Sequence, residues 1–359
     1  MKQFINEDYR ILASNIKKQN PDNSLVNNMK ASAEASQDMM KGILIGTFAM
    51  NVVMTGAMTY MTGMIRSLQL ILHLPIFSVV IPGNVAMMFS LMVPVVMYDI
   101  LDSSYTSELL LTFDWDGQEE ESSSIRSQVR DLGYGSHNSI LNLGSVLVFV
   151  CFYFIEVIFY WCIKIYWLIT RKLNDFRRKL VYKLFFKEIF GLMLEAYLEF
   201  IIAGWLNVQD PLDTTNGEVA AYYVAIAGLV FVLIVMPGAF AYALTFPPKQ
   251  FMSRKFTKKF GAFYEDIAIK IDQKGKLYFY MLFMARRIIY VTLAFSNDIQ
   301  IYHIIFLQYL NIAMIIYQES FRPLETRIKN RIETFNEVII SLASMHLFFF
   351  TDWLPDPDY

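Results

Sequence analysis

Residues 140–169, ILNLGSVLVFVCFYFIEVIFYWCIKIYWLI, form a long apolar run, and the segment 171–188, RKLNDFRRKLVYKLFFKE, follows it almost directly. The hydrocarbon core of a bilayer is about 30 Å thick, so a helix of about 20 apolar residues crosses it. The second segment contains seven Lys or Arg residues and two acidic residues. Since positively charged loops stay in the cytoplasm, the two segments predict a membrane span whose C-terminal end is cytoplasmic.

Seven further apolar runs occur in the chain, which is 55% hydrophobic and only 18% charged. Soluble domains contain about 25% charged residues. Each run must be helical, because a backbone in lipid has to satisfy its own hydrogen bonds. The predicted fold is an all-α membrane protein, a bundle of seven or eight transmembrane helices. The candidate spans are 42–65, 78–101, 140–169, 189–207, 219–245, 277–296, 301–319 and 335–351.

The second and eighth spans have the weakest patterns. Pro75 and Pro82 bracket the start of the second span, and the eighth is short and contains Asn336, Glu337 and His346. Proline and charged residues are both unfavourable in a helix that faces lipid. The sequence therefore leaves open whether there are seven spans or eight.

The loops between the spans alternate in charge. Residues 246–276 carry eight basic and three acidic residues, and 321–331 carry four and one. By contrast, 102–138 carries eight acidic and two basic residues, and 208–218 carries three acidic residues and no basic one. Under the positive-inside rule, we expect the basic segments, 171–188 included, to be cytoplasmic with short helical extensions, and 102–138 to be an outer acidic loop.

This arrangement divides the chain into a polar N-terminal segment (1–41), a transmembrane helical domain (42–352) and a short C-terminal tail (353–359). Eight crossings with cytoplasmic basic loops place both ends of the chain outside. The N-terminal segment contains no apolar stretch of the kind found in a cleavable signal, so the first span is expected to act as the insertion signal.

Five ionisable residues lie well inside predicted spans, where charged side chains are costly and usually functional. Two of them share a helix face by their i, i+4 spacing, and two adjacent arginines lie in the middle of the sixth span. We predict one buried polar cluster formed by Glu156, Glu195, Glu199, Arg286 and Arg287. An ion-pair network that fixes helix register and a cation pathway or gate are both consistent with this set.

The first span presents small and flexible residues on one stripe, as in a helix-packing face. The candidate residues of this face are Gly42, Gly46, Met50, Met54, Met58 and Met61. In the fifth span, Pro237 and Gly238 predict a kink.

The basic run after residue 169 begins without a helix breaker, so we expect one long helix that continues into the cytoplasm. Juxtamembrane basic residues attract anionic lipid headgroups. The candidate headgroup contacts are Arg171, Lys172, Arg177, Arg178 and Lys179. Ordinary positive-inside anchoring is the alternative interpretation of these residues.

Gly133-Tyr134-Gly135 matches the core of a potassium-channel selectivity filter. A filter needs a preceding Thr-Val and a pore helix, whereas Arg130, Asp131 and an acidic, serine-rich segment come before this tripeptide. The two glycines are therefore interpreted as residues that shape a turn.

Other classes of function leave no signature in the sequence. The net charge of −2 gives no indication of a nucleic-acid partner. There is no HExxH, GxSxG or P-loop motif, the four histidines are far apart, and Cys151 and Cys162 lie in one apolar run. We expect no enzymatic activity, no metal and no cofactor, although structural lipids should bind to a protein of this kind.

Three sets of short motifs occur along the chain. One comprises Gln69, Leu70, Leu74, Pro75, Pro82 and Asn84, followed by Asp99-Ile100-Leu101. A second comprises Leu132 to Ser136 and then Asn142-Leu143-Gly144. A third comprises Arg286-Arg287 and then Pro323, Asn330, Glu333, Asn336, Glu337, His346, Thr351 and Asp352. Together they resemble the C-terminal membrane region of very large ciliate surface proteins, whose ectodomains are built from cysteine-rich, growth-factor-receptor-like repeats, and the resemblance covers roughly 45–359.

The resemblance implies a multi-pass topology, loosely TRP-like, and a plasma or ciliary membrane. It carries no catalytic motif, and the cysteine-rich repeats of that family are not part of this sequence. The expected function is a non-enzymatic membrane subunit that anchors or scaffolds a larger assembly, with membrane lipids and other subunits or copies of itself as partners. The alternative is a TRP-like cation channel or transport subunit whose path passes the intramembrane acidic residues.

Overall fold

The structure is a computed structural model. It describes residues 66–77, 85, 89, 92, 127–130, 132, 134, 136–171, 173–182, 184, 189–211, 216–253, 256, 261–264, 266–269, 274–296 and 300–350. Several predictions concern residues outside this set. They are the segment 1–41, the span 42–65 with its face of Gly42, Gly46, Met50, Met54, Met58 and Met61, nearly all of the span 78–101, most of loop 102–138, Lys172, the side chain of Lys179, and the tail 353–359.

The regular elements of the described residues are helical, apart from one isolated antiparallel bridge between Ile267 and Leu324. The α-helices are α1 (Ser127–Arg130), α2 (Ser139–Thr170), α3 (Asn174–Tyr182), α4 (Ile189–Glu195), α5 (Tyr197–Gln209), α6 (Asn216–Val230), α7 (Met236–Leu244), α8 (Pro248–Phe251), α9 (Phe279–Phe295), α10 (Gln300–Phe321) and α11 (Arg327–His346). Turns of 3-10 helix occur at Leu74–Phe77, Gly261–Tyr264, Lys274–Tyr278 and Leu347–Phe350.

Four helical stretches are long and apolar enough to cross a membrane. They are Tyr153–Thr170, Gly217–Leu244, Lys274–Phe295 and Ile301–Phe321. These stretches coincide with the third, fifth, sixth and seventh predicted spans. The protein is therefore a helical bundle with four candidate membrane-spanning helices among its described residues, and the larger predicted number of spans is not established by length and composition.

Two predicted spans have other forms. The fourth, 189–207, is divided by a bend at Ala196 into α4 and α5. The eighth, 335–351, lies largely within α11, which is long enough to span but contains several charged residues. The helix α5 packs against α2, α6 and α9, and α11 packs against α10; both bury side chains in the common core.

The central element is α9, which contacts α5, α7, α10 and the 3-10 turn Leu74–Phe77. Tyr290 of α9 packs edge-on against Phe77, with ring centroids 5.0 Å apart. Around this centre, α10 and α11 form an antiparallel pair, and α5 packs between α6, α9 and the N-terminal part of α2. The helices α5, α7 and α10 thus meet at α9.

The C-terminal half of α2 projects from this bundle. Only 11% of Tyr153–Thr170 is buried, against 56% of Lys274–Phe295. Its exposed large apolar residues are Phe154, Ile155, Ile158, Phe159, Trp161, Ile165, Tyr166, Leu168 and Ile169. At about 100° per residue these positions cover roughly half of the helix circumference.

The predicted continuous helix through the basic segment is wrong. The helix α2 ends at Thr170, because Arg171 adopts a left-handed conformation with φ of 59° and its N–H donates to Trp167 O. Leu173 is also left-handed, with φ of 63°, and α3 begins at Asn174. Left-handed residues end helices even when no glycine is present. The two helices are therefore joined by a sharp elbow at residues 171–173.

The expected distortion at Pro237 takes the form of a π-helical turn at Phe231–Val235, just before the proline. Proline has no N–H and cannot donate to the carbonyl four residues earlier. The N–H of Met236 instead reaches Phe231 O, five residues back. Single π turns within α-helices accommodate such a defect, and the stretch Gly217–Leu244 remains helical throughout.

The basic segments meet at one end of the bundle. Segments 246–276 and 321–331 are joined by two backbone hydrogen bonds of 2.7 and 2.9 Å and by an ion pair of 2.6 Å between Lys329 Nζ and Asp266. The helix α4, which follows the first basic segment, contacts the 3-10 turn Gly261–Tyr264. Loops that are predicted to lie on the same side of the membrane are therefore close together in the structure.

The described parts of the acidic segments meet elsewhere, where α2 begins and α5 ends. His137 Nε2 lies 3.6 Å from Asp210, and Asn207 Nδ2 donates to His137 O at 2.6 Å. Ser139 Oγ donates to Ala221 O at 2.8 Å, which ties the start of α2 to α6. Residues 137–139 thus meet residues 207–210 where α2 begins and α5 ends.

Candidate functional site

The side chain of Arg286 forms the centre of a buried polar network. Its Nη1 donates to both carboxylate oxygens of Glu337, at 2.7 and 2.5 Å, and its Nη2 donates to Asn311 Oδ1 at 2.7 Å. The side chains of Arg286 and Glu337 are only 4% and 6% exposed. A charge-assisted pair of this kind links α9 to α10 and α11 at one point.

A chain of hydrogen bonds continues from Asn311 along the seam between α10 and α11. Asn311 Nδ2 donates to Ser344 Oγ at 2.7 Å, and Ser344 Oγ donates to Gln308 Oε1 at 2.9 Å. Gln308 Nε2 then donates to Ser341 Oγ at 2.6 Å. These contacts set the register of the antiparallel helix pair, because a shift of either helix would break all three.

The second arginine of α9 faces the segment that precedes the second predicted span. Arg287 Nη2 donates to Arg66 O at 2.9 Å, and its guanidinium lies 3.6 Å from the ring centroid of Phe283. The guanidinium of Arg66 lies 5.6 Å from the same centroid and 3.5 Å from Glu195. The ring of Phe283 is therefore in contact with two cations, an arrangement that partly replaces their hydration.

Residues 69–77 connect this arginine pair to α4 and α5. Gln69 Nε2 donates to Glu195 O at 3.1 Å and to Glu199 Oε1 at 3.3 Å. His73 accepts or donates at both ring nitrogens, to Gln69 O at 2.7 Å and to Tyr134 OH at 3.0 Å. Burial lowers the pKa of His73 to about 4, so its ring is neutral at physiological pH.

The tripeptide that resembles a channel filter serves this network. Tyr134 is fully buried, and its N–H donates to Val129 O at 3.3 Å in a turn that follows α1. Burial raises the pKa of its hydroxyl well above the ordinary value, and the charge of Glu199 adds to this effect. Its hydroxyl is hydrogen-bonded to the ring of His73.

The helix α11 is polar on the inside and apolar on the outside. Its buried positions include Asn330, Asn336, Glu337, Ser341 and Ser344. Its exposed large apolar residues are Ile328, Phe335, Val338, Ile339, Leu342 and Met345. This distribution is the reverse of that in a water-soluble bundle and is the one favoured where lipid surrounds the protein.

Four of the five predicted cluster residues lie in this network, and one does not. Glu195, Glu199 and Arg287 line the space between α4, α5, α9 and residues 66–69, whereas Arg286 faces α10 and α11. The predicted burial of Glu156 is wrong, because this residue is exposed on the C-terminal half of α2.

The predicted pairing also needs correction. The carboxylate bound to Arg286 is that of Glu337 from the eighth predicted span, and not one from the third or fourth. Arg287 donates to a backbone carbonyl, and Glu195 contacts Arg66. Arg66 and Glu337 were not predicted as members of the cluster. Arg66 follows the first predicted span, and Glu337 lies in the eighth span, which has a weak hydropathy pattern.

A usable signal for Glu337 was present in the sequence. Polar residues in α11 recur at a helical spacing of three or four, in the order Asn330, Glu333, Glu337, Ser341 and Ser344. Such a stripe in a helix whose other face is apolar indicates a polar interior contact.

A separate group of basic and aromatic side chains surrounds the elbow between α2 and α3. The guanidinium groups of Arg171 and Arg177 lie 5.2 and 4.1 Å from the ring of Trp167. Lys164 Nζ lies 4.0 Å from the ring of Trp161. Arg171 and Arg178 are exposed. Of the predicted headgroup contacts, Arg171, Arg177 and Arg178 thus have described side chains on one surface, which we call the elbow site.

The part of the chain that the structure describes contains no group of three or more His, Cys, Asp or Glu side chains arranged to hold a metal ion. Cys162 lies exposed on α2 as a free thiol. The chemistry of the two sites is therefore that of ion pairing, hydrogen bonding and cation–π contact.

Comparison with known proteins finds no match to a family model, to a curated protein or to a solved structure.

Proposed function

We propose that this protein is a non-enzymatic, multi-pass membrane subunit that anchors or scaffolds a larger membrane assembly. The observation that carries the proposal is the projecting half of α2, an apolar helix that leaves about half of its circumference uncovered. A helix of this kind is stable only when lipid or a neighbouring membrane helix covers it. Its neighbours would be other subunits or further copies of the same chain.

The polar contacts inside the bundle support a scaffolding role, in which the helices keep fixed positions. Arg286 is fixed by two partners from two different helices, and Glu337 accepts two hydrogen bonds from it. A buried pair with this geometry holds helices in one register. Two acidic residues of the alternative cation path also have protein partners. Glu195 forms an ion pair with Arg66, and Glu199 accepts a hydrogen bond from Gln69.

We further propose that the fourth and eighth predicted spans cross the membrane. The helices α4 and α5 together run from Ile189 to Gln209, a length of about 31 Å at 1.5 Å per residue, and α11 is about 30 Å long. Both lengths match a hydrocarbon core of about 30 Å. The outward apolar face of α11 supports this assignment, and the spans 42–65 and 78–101 would complete a bundle of eight.

The grouping of the basic segments at one end supports a cytoplasmic location for 171–188, 246–276 and 321–331. The resemblance to ciliate surface proteins adds a plasma or ciliary membrane to the proposal. The match to that family remains an expectation drawn from short motifs.

The proposal is tested by reconstituting the purified chain in planar bilayers and by measuring its mass in lipid nanodiscs. We expect no ion-selective conductance, and we expect an assembly larger than the 41.8 kDa protomer. Replacing Ile158 and Phe159 by Gln should reduce the mass to that of the protomer, whereas Tyr302→Gln on the exposed face of α10 should not. A conductance that Glu199→Gln alters would favour the channel instead, and a monomer in all lipids would overturn the anchoring role.

A further inference from the structure

The elbow site lies where the apolar surface of α2 ends. Ile169, the last large apolar residue of the helix, is 78% exposed, and the exposed Arg171 follows two residues later. In a membrane, this change from apolar to basic surface coincides with the level of the lipid headgroups. The elbow then turns the chain into α3 without leaving that level.

The tryptophan of the elbow is held between two guanidinium groups. Arg171 approaches the ring of Trp167 at 5.2 Å from residue i+4, and Arg177 approaches it at 4.1 Å from the other side of the elbow. This second contact is possible only because the left-handed residues Arg171 and Leu173 fold α3 back toward the end of α2. Tryptophan itself prefers the membrane interface.

The contacts with Trp167 leave the Nη atoms of these guanidinium groups as possible donors, whereas Nε of Arg177 is buried. An arginine has five N–H donors in the plane of its guanidinium. Within the described chain, Arg177 uses Nη2 to bond Asn174 Oδ1 at 3.1 Å, and the guanidinium of Arg171 bonds to no protein atom. In-plane donors of two neighbouring arginines match the oxygens of a phosphate group.

The helix α3 extends the same surface. Its exposed residues include Phe176, at 50%, and Arg178, and the exposed Leu173 precedes it. A short helix with apolar and basic residues both exposed is typical of a segment that lies in the interface of a membrane with anionic lipids.

From these contacts we propose that the elbow site binds the phosphate headgroup of an anionic phospholipid, with Arg171 and Arg177 as the phosphate ligands and Trp167 as the platform that orients them. The acyl chains of that lipid lie along the uncovered apolar face of α2. The inference requires only that α2 is in a membrane, so it does not depend on the anchoring role.

The test is a titration of the full-length chain, in neutral detergent, with short-chain phosphatidylglycerol, followed by the increase in melting temperature. Phosphatidylcholine and inorganic phosphate are titrated in parallel. Arg171→Gln combined with Arg177→Gln should weaken phosphatidylglycerol binding about 30-fold, since each basic residue near the surface contributes roughly a factor of five. The matched control is Arg327→Gln with Arg331→Gln, which removes the same charge from exposed positions of α11 and should leave binding within about twofold.

Two further variants distinguish the contribution of the Trp167 ring from that of the arginine charge. Trp167→Leu should weaken binding although no charge changes, and Arg177→Lys should restore only part of the affinity, because lysine lacks the planar stacking surface. Equal losses in the elbow and control variants would overturn the proposal in favour of general charge attraction. Saturation by inorganic phosphate alone, or equal affinity for phosphatidylcholine, would also overturn it.

Discussion

At the scale of single residues, the buried charges of the bundle have geometrically defined partners, although burial is the most costly environment for a charge. Arg286 and Glu337 are nearly inaccessible and form two hydrogen bonds. Breaking such a pair leaves one uncompensated buried charge, whereas replacing both members by apolar residues can be neutral. This asymmetry makes the role of the pair measurable.

Arg286→Ala should lower the free energy of unfolding by about 3–5 kcal/mol, and Glu337→Ala should have a similar effect. The double variant Arg286→Met, Glu337→Leu should recover most of the loss. Thermal unfolding in one detergent measures all three. Arg322→Ala is the control, because its pair with Glu319 is exposed and worth less than about 1 kcal/mol. Equal costs for the buried and exposed pairs would contradict the assignment.

His73 should give the fold an acid-sensitive step. Its pKa is about 4 in the folded protein and about 6.5 in an unfolded chain, so below pH 6.5 the unfolded state takes up a proton that the folded state refuses. Stability should therefore fall between pH 6.5 and 4, by roughly 1.4 kcal/mol per unit. Melting temperatures across this range should show a smaller slope in His73→Gln than in the wild type.

The exposed His346 supplies the control for this experiment. His346→Gln should retain the slope of the wild type, because its ring is not part of the buried network. An unchanged slope in His73→Gln would show that another group causes the acid sensitivity.

At the scale of helices, the close approach of α5 to α6 depends on Gly204, a residue of α5. A Cβ atom at Gly204 would lie 2.7 Å from Leu229 Cγ and 3.0 Å from Leu229 Cδ2. Small residues at such crossings allow membrane helices to pack by van der Waals contact. In contrast, a Cβ at Gly238 in α7 would meet nothing within 4 Å.

Gly204→Ala should therefore destabilise the protein by about 1–3 kcal/mol through overpacking. Gly238→Ala should be neutral or stabilising by up to about 1 kcal/mol, since alanine favours the helix. Melting temperatures of the two variants in the same detergent make the comparison. A tolerated alanine at Gly204 would mean that α5 and α6 are farther apart than described.

The helices show which sequence patterns could be interpreted and which could not. The four candidate membrane-spanning stretches of the described residues were predicted from hydropathy alone, because a span needs only length and composition. The bend at Ala196 and the elbow at Arg171 and Leu173 were not, since none of the three is a glycine or proline. Their conformations accompany contacts between helices, such as that of Arg177 with Trp167, which no local pattern encodes.

The candidate site was predictable only in part for a related reason. A charged residue inside an apolar run is visible in sequence, so Glu195, Glu199, Arg286 and Arg287 could be singled out. Which charge meets which depends on the order of helices around α9, and that order is not encoded in any local pattern. Arg66 is 221 residues away from the arginine that donates to its carbonyl.

At the scale of the whole molecule, charge is divided between the two ends of the bundle, and this division predicts sidedness. Single cysteines at Arg178 and Arg327 should react with a membrane-impermeant maleimide from one side, and a cysteine at Gln209 from the other. The background for this experiment replaces Cys151 and Cys162 by Ser. Labelling of sealed vesicles of both orientations measures the result, and reaction of all three positions from the same side would refute the topology.

The distance along the chain between Arg286 and Glu337 has a consequence for biosynthesis. Glu337 is translated 51 residues after Arg286, whose charge it neutralises. The helix α9 must therefore enter the bilayer before Glu337 has left the ribosome. A nascent chain cut short before α11 would leave that arginine uncompensated in a dry environment. Termination before Glu337 should thus mark the product for removal by membrane quality control, because the guanidinium of Arg286 then lacks its carboxylate partner.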